Sequence, residues 1–83
     1  MNLTELCQLP DTTEGNAARR LLWSLWNQHR SVNLWKEVTS LSGAARGELA
    51  RLIAMSIEAR EAALRAIFAD AGEFDRIDTH PIA

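Results

Sequence analysis

Between Leu21 and Trp26 only Ser24 interrupts a run of large apolar side chains (Leu21, Leu22, Trp23, Leu25, Trp26), and a third tryptophan, Trp35, stands nine residues further on. At about 100° per residue these five side chains wrap about 200° of a helix. A helix lying on the surface of a core needs an apolar stripe of only roughly 100°. One neighbour therefore cannot cover this segment. It is the central helix of a very small domain, or a helix that also meets another protein.

The size of the chain sharpens that choice. Its 83 residues make one domain at most, and a chain this small buries only about 60–65% of the surface its unfolded form exposes. A hydrophobic content of 47% is enough for a globular core, and many alanines with few glycines and prolines favour helix over sheet. Cys7 is the single cysteine, so no internal disulfide can form and a reducing compartment is expected. The start Met1-Asn2-Leu3-Thr4-Glu5 has neither the basic end nor the apolar run of a signal peptide. No stretch approaches the ~18 consecutive apolar residues of a membrane span, and the expected location is the cytoplasm, with no membrane partner.

Charge is unevenly spread. Residues 1–18 carry −3, residues 19–51 carry +4 and residues 52–83 carry −3, for a net charge of −2. A mildly basic middle between acidic ends is too weak a signal to argue for nucleic acid.

Along the chain, Leu3, Leu6 and Leu9 form an apolar edge of one helical turn that Pro10 ends. The capping-rich stretch 11–16 starts the Trp-rich helix, which is expected to run to Gln28 or His29. Residues 29–33 connect it to a short helix at 34–38, where Leu34, Trp35, Val38 and Leu41 fall at helical spacing. Ser40 or Ser42 caps the next helix. From Gly43 to Ala71 nothing in the sequence breaks a helix, and Gly72 is placed to end it. Such a helix would be about 40 Å long, more than a domain of this size can accommodate.

One face of this helix carries Leu49, Leu52, Ile53, Ile57, Leu64, Ile67 and Phe68, with Arg51, Glu58, Glu61 and Arg65 on the other. Ser56 and Arg60 interrupt the apolar face and divide it in two. The first patch is the partner of the Trp-rich helix, packed antiparallel. The second, Leu64, Ile67 and Phe68, lies beyond the reach of a 15-residue helix and is expected to stay exposed, as an interface would. Residues 75–83 read as a mobile tail.

The three tryptophans either fill a core short of other large side chains or present one indole to a partner, since tryptophan is enriched among interface hot spots. Arg60 either lays its stem over apolar surface or pairs with an acidic group of a partner or a second copy. His29, His80 and Cys7 have no metal-ligand spacing. Glu58 and Glu61 look like solubilising charge on a solvent face and not an acid/base pair. Neither a nucleophile elbow nor a phosphate loop is present, so no enzyme, cofactor or metal is expected. A DNA-binding helix pair would need an outward face of basic or amide side chains; the long helix alternates Arg with Glu, which repels phosphate as often as it attracts it.

The segments Leu21-Leu22-Trp23-Ser24-Leu25-Trp26-Asn27, Asn33-Leu34-Trp35 and Leu49-Ala50-Arg51-Leu52-Ile53-Ala54 resemble an uncharacterised family of small helical proteins encoded on bacterial plasmids and integrated mobile elements. The resemblance covers residues 17–54. It departs from the family pattern in a single Trp directly before Asn27 and in lacking a Gly-Gly-Phe-like loop. What it implies is a mobile-element setting, where small acidic phage and plasmid proteins disable host machinery, anti-CRISPR inhibitors among them; this is analogy.

The expectation is thus an all-α single domain over residues 1–83, a small helical bundle of a Trp-rich helix, a short connecting helix and a long amphipathic C-terminal helix. It acts as a non-enzymatic protein–protein interaction module, an inhibitor of a host complex of the anti-defence kind. Its binding residues are Trp23, Trp26, Trp35, Arg60, Leu64, Ile67 and Phe68. The alternatives are a structural homodimer and a small DNA-associated transcriptional regulator with Arg19, Arg20, Arg30, Lys36, Arg46 and Arg51 on phosphates.

Overall fold

Hydroxyl and amide side chains set the helix starts. In the structure, a computed structural model describing residues 1–26 and 32–72, Asn2 accepts the Glu5 backbone N–H at 2.8 Å while the Glu5 carboxylate accepts that of Asn2. This reciprocal cap starts α1, Leu3–Cys7. Thr12 accepts the Gly15 N–H at 3.2 Å at the head of α2, Thr13–Trp26. Asn33 caps α3, Leu34–Thr39, and Ser42 caps α4, Gly43–Ala54. Ser56 caps α5, Ile57–Ala71, which ends where Gly72 turns left-handed at φ 68°. The described residues are all-α.

The single long helix expected over 43–71 is two helices. Met55 and Ser56 both leave the helical conformation, with ψ 157°, and the chain changes direction between them, since the two helices end to end would exceed extents of 27 × 27 × 22 Å. The physical reason is burial: the bend seats α5 on α1 and α2 and places Leu64, Ile67 and Phe68 at 1%, 7% and 0% exposure. Each such side chain contributes about 1.5–3 kcal/mol. The helical hydrogen bonds given up at an exposed break contribute only ~1 kcal/mol or less apiece, and the Ser56 hydroxyl replaces one of them at the Ala59 N–H. The second apolar patch is therefore core, not interface.

The first apolar patch is expected on the Trp-rich helix; instead α4 packs on α1, and it is α5 that touches α2. α1 is the centre: it packs on α2, α4 and α5, while α3 packs on α2 and α5 also touches α2. Leu3, Leu6 and Cys7 supply its buried face, and Leu9 packs at the edge of the core. α2 contributes Ala17, Ala18, Leu21, Leu22 and Trp23, and α4 contributes Ala45, Leu49 and Leu52.

The stretch between α1 and α2 is fastened by Arg19, 2% exposed. Its guanidinium donates to the carbonyls of Cys7, Leu9 and Pro10, to Asn16 Oδ1 at 2.9 Å and to Asp11 Oδ1 at 2.7 Å. Gly15 makes room for this wrap, because a Cβ there would lie 1.9 Å from the Pro10 carbonyl oxygen. Residues 27–31 and 73–83 lie outside the described residues, and with them the end expected for the Trp-rich helix, most of the connector, Arg30, both histidines and the tail at 75–83.

Candidate protein-docking surface

The orientation of α3 is decided by a charge. Glu37 is 2% exposed and its carboxylate accepts a charge-assisted hydrogen bond from Arg20 Nε of α2. Val38 is half-buried against the core and Leu41 is buried. Residues two apart on a helix point about 200° from one another, so turning Glu37 inward turns Trp35 outward. Trp35 is 79% exposed and Leu34 59%.

The helix beneath them is held at both ends. Asn33 Oδ1 accepts the Lys36 N–H at 3.1 Å, and the Thr39 and Ser40 hydroxyls donate to the Lys36 carbonyl. Trp35, Lys36 and Thr39 line an open recess of about 370 Å³. The recess is too open to enclose a small molecule. What the surface presents is a convex indole with an apolar neighbour, Leu34, and an exposed cation, Lys36.

The other expected binding residues are placed elsewhere. Trp23 is 1% exposed and belongs to the core with Leu64, Ile67 and Phe68. Trp26 is half-buried; its ring meets Phe68 edge-on at 5.9 Å and 86°, and the Arg65 guanidinium lies 5.4 Å from its centroid. Arg60 is half-buried on α5. The structure does not bring these seven residues together: four are core, Trp26 and Arg60 lie at its margin, and Trp35 stands out into solvent.

Two further exposed apolar residues escaped the expected binding set. Ile53 is 49% exposed and Ile57 72% exposed, either side of the break between α4 and α5. Their place on the supposed buried face of one straight helix hid them.

The cations named for phosphate contact are largely engaged within the fold. Arg19 is buried on backbone carbonyls, Arg20 holds Glu37, and Arg51 holds Glu48. That last pair draws the Glu48 carboxyl below its ordinary value of 4.5, chiefly through the Arg51 hydrogen bond, which outweighs the opposing effect of burial. Lys36 and Arg46 remain exposed. Among the described residues no group of three or more His, Cys, Asp or Glu could hold a metal ion, and no helix is long and apolar enough to cross a membrane. The chain matches no family model, no curated protein and no solved structure.

Proposed function

We propose that this chain works by binding another protein, with Trp35 as the anchor and Leu34 and Lys36 beside it. The observation that carries the reading is an indole 79% exposed on a helix whose facing is set by an ion pair with a buried carboxylate, Glu37. A rigid aromatic brings large contact area with little side-chain entropy to lose, which is why tryptophan dominates binding hot spots. The partner presents a concave apolar pocket for the indole and an acidic group for Lys36. The mobile-element setting implied by the resemblance makes a subunit of a host complex the class of target, and inhibition by occupying its surface the mode of action. No chemistry is assigned to the chain itself.

The test compares the wild type with Trp35→Ala and Lys36→Glu in affinity capture from bacterial lysate. A protein retained by the wild type and lost in Trp35→Ala, at unchanged thermal stability, supports the reading. A captured partner indifferent to both substitutions moves the interface away from α3 and removes the proposal.

A further inference from the structure

The break between α4 and α5 is unusual in what it lacks. No glycine or proline lies between Glu48 and Ala71, and the flanking residues Ala50 to Ala54 and Ile57 to Ala62 are dominated by Ala, Leu, Ile, Arg and Glu, mostly good helix formers. Met55 has φ −68° and Ser56 φ −60°, already helical values; each departs from helix only in ψ, 157° in both, against about −42° in a helix. Two torsions therefore separate the bent chain from one straight helix over 43–71. The straight form would give the N–H groups of residues 56–59 the carbonyls of residues 52–55, in place of the single side-chain cap at Ser56.

What holds the bent form is the seat of α5 on α1 and α2, with Leu64, Ile67 and Phe68 in the core. A straight helix of this length, about 43 Å, cannot fit within extents of 27 × 27 × 22 Å, so it must carry α5 off its own core. The surface uncovered in that way is shaped to fit α5 itself.

We propose that Met55–Ser56 is a swap hinge, at which α4 and α5 straighten into one helix and the seat vacated on α1 and α2 is filled by α5 of a second copy. The exchange is reciprocal and closes with two-fold symmetry, and every core contact of α5 is remade between copies. The exposed Ile53 and Ile57 become i,i+4 neighbours on one face of the straight helix, at the midpoint where the two long helices pass. They are then the contact that the dimer gains and the monomer leaves in water. This inference is independent of the Trp35 surface.

Ser56→Ala and Ile57→Pro push the hinge in opposite directions. Ser56→Ala removes the cap and installs the strongest helix former. Ile57→Pro suits the first position of α5 and the extended residue before it, but a straight helix cannot accept it. Size-exclusion chromatography with light scattering, after refolding at high protein concentration, is expected to give at least about tenfold more dimer for Ser56→Ala than for wild type, and monomer for the double variant. Ser56→Ala monomeric at all concentrations overturns the proposal. So does a dimer that persists with Ile57→Pro, which would be an ordinary surface dimer. Should Ser56→Ala fail to fold, wild type, Ile57→Ala and Ile57→Pro refolded side by side decide: dimer in the first two and monomer in Ile57→Pro supports the hinge, and equal behaviour of Ile57→Ala and Ile57→Pro overturns it.

Discussion

Arg19 and Glu48 show how a few charged side chains are absorbed into so small a core. Arg19 serves three backbone carbonyls in the α1–α2 wrap, one of which, that of Pro10, also accepts the Thr12 N–H. Lysine carries the same charge but not the planar fork that reaches several acceptors at once. Arg19→Lys is therefore expected to lose about 1–3 kcal/mol in urea unfolding, and a loss near zero would mean the wrap holds without it. Glu48 gives a pH dependence of definite sign. Its folded carboxyl is held below the ordinary value, so its contribution to stability is full above that value and disappears as pH falls through the folded one. Glu48→Gln should accordingly be less stable than wild type at neutral pH and lose less on acidification, the two converging in acid. Identical pH profiles would show that Arg51 does not favour the charged form.

At the scale of elements, the strongest demand falls on α1, a five-residue helix that three others pack on. Leu6→Ala is expected to destabilise by about 2–5 kcal/mol, despite its place near the chain terminus. Phe68→Asp buries a carboxylate at a position with 0% exposure and should unfold the domain, read as loss of helical circular dichroism; an intact Phe68→Asp chain would return α5 to the role of an interface. These outcomes mark where the sequence was legible. Capping by Ser42, the turn at Gly72 and the short helix after residue 33 are written in nearby residues, and all are present. The break at Met55–Ser56 has no glycine or proline to announce it. Its signal was the polar interruption of the apolar face at Ser56, which divides that face at the point where the chain bends. Whether a serine in such a pattern sits on a helix surface or caps a new helix depends on what residues 64–68 can bury against, and that surface is supplied by α1, at the opposite end of the sequence.

For the whole molecule the three tryptophans form a gradient from core to solvent: Trp23 enclosed, Trp26 half-covered between Phe68 and Arg65, Trp35 out in solvent. Apolar spacing alone treats them alike. What sets Trp35 apart is the Arg20–Glu37 pair, which joins two charges the sequence offers only as part of a basic middle segment. Their emission should therefore resolve into parts: acrylamide quenches a red-shifted fraction readily and leaves a blue-shifted fraction protected. Trp35→Phe should remove the quenchable fraction while shifting stability by no more than about 0.5 kcal/mol, as for a surface position without structural partners. Glu37→Gln tests the cause. It leaves Arg20 without its anionic partner, weakens the seat of α3 on α2 and should lower stability by more than Trp35→Phe does, since hydrogen bonds to charged groups contribute about 1.5–3 kcal/mol. If the quenchable fraction survives Trp35→Phe, the solvent-facing indole lies elsewhere and the docking surface on α3 has no anchor.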